Sequence, residues 1–204
     1  MAQLRAELQQ NPRNVDVAVR LARRYYNLVA EEGDPRYLGY AQAALAPWWD
    51  MSVPPIEVQV LRAGLGQFRH DFAGALDDLS KVIERDTGHA GARSLCATIH
   101  IVQARYPQAR TDCRALRGAT SDLIAIGCEA MVDGLTGNAA GAYPVLNEAL
   151  KSHPEAAPGE KLWVLIRLAE IAKRQGRSDI AESHFRQALA LGITGVSFCW
   201  VAPF

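Results

Sequence analysis

The stretch that decides the fold is Leu165 to Leu189, LIRLAEIAKRQGRSDIAESHFRQAL. Apolar residues recur in it three and four apart, the period of one helix face. Gly176 breaks the pattern once, so the stretch reads as two short amphipathic helices joined by a tight turn. Ala169, Ala181 and Ala188 are small residues at the positions where two helices have to touch. Leu165, Leu168, Phe185 and Leu189 are larger and stand where a core has to be filled.

The same pattern lies over the chain four more times. A helix from Val15 to Ala30 carries Leu21, Ala22, Tyr25 and Leu28 inward and ends at Gly33. Asp34-Pro35 then starts a second helix with Tyr37, Leu38, Ala41, Ala44 and Leu45. Asp caps free N–H groups, and Pro fits the first turn, where its missing N–H loses no bond. Trp48-Trp49 and Pro54-Pro55 link to the next pair, Ile56–Phe68 and Asp71–Arg85, the latter with Phe72, Ala75, Leu79, Val82 and Ile83 inward. Trp48-Trp49 is read as buried between repeats rather than as an exposed partner anchor. The third pair spans His89 to Leu116 and the fourth Ser121 to Leu150, followed by a loop from His153 to Gly159. The anchor of the second helix recurs at Tyr37, Ala75, Ala109, Ala142 and Ala181, which gives spacings of 38, 34, 33 and 39 by subtraction. The two long spacings coincide with the Trp-Trp-Pro-Pro link and the loop before the fifth pair.

A period near 34 with helix–turn–helix units is the signature of a tetratricopeptide array, and over Val15 to Leu191 the chain resembles that family. The fifth unit matches at Leu168-Ala169, Gly176, Ala181, Phe185 and Ala188-Leu189, and the fourth at Ala130, Gly137, Ala142, Leu146 and Ala149-Leu150. The third matches at Ala97, Tyr106, Ala109 and Leu116, with Ala104 at the glycine position and Cys113 at the large one. The second keeps Phe72, Ala75, Leu79 and Val82-Ile83; the first keeps Leu21-Ala22, Tyr25 and Ala44-Leu45, with Tyr37 where Ala is usual. The resemblance implies an all-α, right-handed superhelix of about five repeats, at 15–47, 54–86, 89–118, 121–152 and 160–191, in a domain covering 1–191. The remainder, 192–204, reads as an irregular apolar tail, a possible surface for self-association.

The resemblance also implies a non-catalytic scaffold that binds a protein or peptide in a concave groove lined by first helices. Carried over position by position, the groove candidates are Arg23, Tyr26, Asn27, Thr98, Met131, Glu170, Lys173 and Arg174. The alternative is a sensor domain whose groove holds a small ligand or an internal segment. The Lys and Asn of the family's anion clamp are replaced by Val19 and Arg23, so that mode of carboxylate recognition does not carry over.

Composition narrows the choice further. The 204 residues are 49% hydrophobic, with 22 Lys+Arg against 22 Asp+Glu. That balance, with no basic run, argues against nucleic acid as a partner, because phosphate affinity needs clustered cations. No run approaches the length of a membrane helix, and the polar start lacks the apolar run of a leader. The expected location is the cytoplasm, with export open if an upstream signal precedes Met1. The cysteines at 96, 113, 128 and 199 lack CxxC spacing and read as buried free thiols. Cys96 and His100, one helical turn apart, suggest zinc only if Cys113 and Cys128 join them; core thiols are the simpler reading, and no metal or cofactor is expected. Ser183-His184 cannot pair as nucleophile and base, because sequence neighbours on a helix diverge. No P-loop, GxSxG, HExxH or dinucleotide fingerprint occurs, so no enzyme activity is expected.

Overall fold

Small side chains at a fixed register set the architecture. In a computed structural model of the protein, described for residues 1–192, there are twelve helices among the described residues and no strand. They fall into two units, one running Met1–Thr87 and the other starting at Gly88.

The first unit contains α1 (Ala2–Gln10), α2 (Val15–Glu32), α3 (Arg36–Ala44), the short α4 (Ala46–Trp49), α5 (Ile56–Phe68) and α6 (Phe72–Arg85). Asn14 caps α2 by accepting from the Val17 N–H, and Gly33 ends it with φ +68°. Asp34 accepts from the Arg36 N–H at the start of α3. Leu21, Ala22, Tyr25 and Leu28 of α2 pack with Ala41, Ala44 and Leu45 in one core, with Trp48 and Trp49 half-buried against it. Tyr37 is not the small anchor of this pair. It is half-buried in a triangle with Tyr25 and Tyr40, ring centroids 5.4–6.1 Å apart. The buried small residue is Ala41, which by subtraction stands 34 before Ala75.

The second unit contains α7 (Ala90–Val102), α8 (Tyr106–Ala115), α9 (Asp122–Leu135), α10 (Ala139–Ser152), α11 (Pro158–Arg174) and α12 (Ser178–Ala190). The helix α11 starts inside the stretch expected as loop, because Pro158 fits its first turn. Ser121 caps α9.

Four hairpins share one register. Ala63, Ala97, Ala130 and Ala169 stand 12 residues before Ala75, Ala109, Ala142 and Ala181, and all eight are buried. Five residues before each second-helix alanine the backbone is left-handed: His70 (φ +61°), Ala104 (φ +56°), Gly137 (φ +93°) and Gly176 (φ +74°). Two of these four turns therefore bend without glycine. Three residues after the alanine a polar side chain is buried in three of the four: Asp78, Asp112 and His184. Each is held by another helix. The Arg62 guanidinium clasps both oxygens of Asp78 at 2.7 and 2.6 Å. Arg93 and His100 take one oxygen each of Asp112 at 3.2 and 3.0 Å. The Tyr143 hydroxyl lies 2.8 Å from His184 Nε2.

Two expectations need correction. Phe185 and Leu189 do not fill a core: they are 39% and 79% exposed, while His184 is buried in their stead. Leu146, at the position of Phe185 in α10, is fully buried in a core shared with Val164 and Leu168 of α11. Among the described residues no first helix follows α12, so the same face stays open. The cysteines are not all free thiols either. Cys113 of α8 and Cys128 of α9 form a disulfide, leaving Cys96 free and buried. Cys199 and the apolar tail from Ile193 on lie outside the described residues, as does any self-association through them. No described helix is long and apolar enough to cross a membrane.

Candidate functional site

In the second unit, α9 and α11 come together around a largely buried arginine. Gly127 and Gly134 lie seven apart on α9, so they share one helix face. A Cβ on Gly127 would stand 2.3 Å from the Trp163 ring, and one on Gly134 would stand 3.0 Å from Ile171. The two glycines thus let α11 approach α9 closely. Met131 sits between them in sequence and reaches Arg167 of α11, whose Nη1 lies 3.3 Å from the Met131 sulfur.

Arg167 is mostly withdrawn from water, its side chain 16% exposed. Nη1 also lies 3.0 Å from the Glu170 carboxylate, and the guanidinium carbon lies 5.7 Å from the Trp163 ring centroid. Its Nε has no hydrogen-bond partner among the described residues. Burial pushes its pKa below the ordinary guanidinium value; Glu170 opposes this and Arg174 adds to it. The group nonetheless stays charged at neutral pH. Lys173 and Arg174, in the last turn of the same helix, are exposed. This arrangement presents a fixed cation, incompletely paired, beside a thioether and an indole. Chemically it suits an anionic group, because a guanidinium binds carboxylate or phosphate through paired N–H donors.

Of the groove candidates, Met131 and Glu170 are therefore brought together around Arg167, with Lys173 and Arg174 beyond them on α11. Thr98 is half-buried on α7, where its hydroxyl donates to the Ser94 carbonyl at 3.3 Å. Arg23, Tyr26 and Asn27 are half-buried on α2 in the first unit. Tyr26 packs edge-on against Phe68, centroids 5.3 Å apart, and a Cβ on Gly64 would meet its ring at 3.2 Å. Its place is thus set by the α2–α5 seam. Sequence reasoning missed Arg167; its signal was an arginine between Ile166 and Leu168 on a helix face otherwise read as core.

The zinc set does not assemble. Cys113 and Cys128 bond to each other, and His100 is engaged by Asp112. Cys96 is buried, and burial, with the Asp112 charge beside it, pushes its thiol up to about 12. A thiol at that value is neither a ready ligand nor a nucleophile. Among the described residues no group of three His, Cys, Asp or Glu is disposed to hold a metal.

Among solved structures, the chain is similar to a tetratricopeptide repeat protein from Parabacteroides merdae ATCC 43184. The TM-score is 0.64 at 16% identity, over 92% of this chain and 70% of that one. It is also similar to MamA AMB-1, with a TM-score of 0.49 at 14% identity, over 93% of this chain and 100% of that one. No family model matches, and no curated protein does. The fold is an all-α helical repeat of the tetratricopeptide kind.

Proposed function

We propose that the chain is a non-catalytic interaction scaffold. In the second unit it binds a protein or peptide partner through an acidic group seated at Arg167. One observation carries this reading: a largely buried guanidinium whose Nε is unpaired among the described residues. Leaving a buried donor unsatisfied costs about 1–3 kcal/mol, more for a charged group. A partner carboxylate or phosphate would pair with the part of the guanidinium that is open to solvent, Nε itself being fully buried. Met131 supplies adaptable apolar contact, and Lys173 and Arg174 extend the positive field towards solvent. Stacked helical hairpins commonly present such faces to partners. Thr98 is proposed as a further contact within the second unit, and Arg23, Tyr26 and Asn27 as contacts of the first unit taken by itself.

The test is affinity capture from the native lysate with wild type and with Arg167→Gln, after checking that both melt alike. A stoichiometric protein held by wild type, and lost with the variant or at high salt, supports the proposal. Equal recovery by both removes Arg167 from the site. No captured protein, with a ligand-dependent thermal shift instead, favours the sensor alternative.

A further inference from the structure

We infer that this chain folds and works in an oxidising compartment, where the Cys113–Cys128 bond is a permanent part of its second unit. The two Cα atoms are 5.4 Å apart, inside the range that a disulfide spans without moving backbone. Both cysteines are almost wholly buried, in one core with Leu116, Leu123, Ile124 and Leu146.

The register gives the bond its role. Four residues after the second-helix alanine, α6 has Leu79 and α10 has Leu146, both fully buried. The same position in α8 is Cys113. A cysteine has too little apolar surface to replace leucine as packing, and α8 otherwise buries only Ala109 and Asp112. The covalent link to α9 adds to the hold that Arg93 and His100 of α7 have on Asp112 and that Asp133 of α9 has on Arg110. It joins the third hairpin to the fourth and closes a loop with a sequence separation of 15. Among the described residues Cys96 is buried in the same unit and free, so burial alone does not account for the pairing.

Formation is ordinary thiol–disulfide exchange. One Cys thiolate attacks a disulfide of a protein or small-molecule oxidant, breaking its S–S bond to form a mixed disulfide and releasing the other sulfur as a thiolate. The second Cys thiolate then displaces the oxidant's sulfur, which leaves as a thiolate. Two electrons pass to the oxidant, and the two thiol protons go to solvent. Because both sulfurs end inside the core, the exchange has to occur before that core closes. The finished bond is then shielded from thiol reductants. Such bonds persist in secreted and extracytoplasmic proteins and are rare where thiols are kept reduced. The reading of all four cysteines as free thiols agreed with the cytoplasmic expectation, and the disulfide removes that agreement.

The test uses the full chain in its own cell, alkylated at lysis and mapped by mass spectrometry without reduction. A peptide linking Cys113 to Cys128, with Cys96 separately alkylated, is the expected result. Cys113 and Cys128 recovered as separately alkylated peptides would overturn the inference. A second measurement follows melting after reduction in denaturant and refolding under reductant. Wild type is expected to melt lower than its oxidised form, whereas Cys113→Ala/Cys128→Ala shows no response to reductant. An unchanged wild-type melting temperature also counts against the bond's role. The peptide map decides the matter even if the double variant does not fold.

Discussion

Gly127→Ala tests the close approach that builds the candidate site. The added Cβ would stand 2.3 Å from one carbon of the Trp163 ring and 3.0 Å from a second. Ordinary contact begins about an ångström further out. Trp163 is buried and its ring is rigid, so relief has to come from moving α11. Overpacking of this kind costs about 1–3 kcal/mol, and an overlap this deep belongs at the upper end. Against that, alanine is better than glycine inside a helix by about 1 kcal/mol. The net expectation is a loss of about 2 kcal/mol, or about 4–8 °C in melting temperature for a chain of this size. Gly39→Ala is the control. It lies in α3 with nothing within 4 Å of the new Cβ, so only the helix gain of about 0.5–1 kcal/mol should appear. Thermal melts followed by circular dichroism read both. Gly127→Ala melting at or above wild type would refute the reasoning, as would failure of Trp163→Leu to relieve the loss in the double variant.

Ala104→Gly should stabilise the third hairpin by up to about 1 kcal/mol, because a left-handed alanine costs about 1–2 kcal/mol and glycine returns part of the gain as chain entropy; a lower melting temperature would count against it. Asp78→Ala leaves the Arg62 guanidinium without its clasp and should cost about 3–5 kcal/mol in denaturant titrations, whereas Arg62→Met with Asp78→Leu should stay nearer wild type. Burial, then Arg177, holds His184 below the ordinary imidazole value, so the folded protein keeps it neutral while the unfolded chain protonates near pH 6.5. Stability is full above that pH and falls as acid is added below it. His184→Phe should flatten that slope in pH-dependent melts, and an unaltered slope would assign the effect elsewhere.

The hairpins were legible because they are local. Small residues near a 34-residue period, prolines in first turns and glycines at turns mark helix pairs without any tertiary knowledge. Ala63 escaped notice beside Gly64 and Gly66, though it holds the same register as Ala97, Ala130 and Ala169. Tyr37 was mistaken for an anchor because the buried alanine of the first hairpin, Ala41, stands eight residues after its left-handed residue, Gly33, and the others stand five after theirs. Exposure of Phe185 and Leu189 could not be read, since burial of a helix face depends on what packs against it and not on its own sequence. The disulfide was equally hidden: its cysteines carry no spacing motif and meet only when α8 and α9 pack. A recurring signal was available but unused, namely a polar residue three after the alanine in Asp78, Asp112 and His184. Arg167 stayed invisible because a single arginine among core residues looks like a surface position until the neighbouring helix is placed.

Hydrogen exchange on the captured complex tests the scaffold reading most directly. Added protection on α9 and α11, centred on Met131, Arg167, Glu170 and Arg174, is the expected result. Protection confined to α10 and α12, with the Arg167 region exchanging as in the free protein, would contradict it.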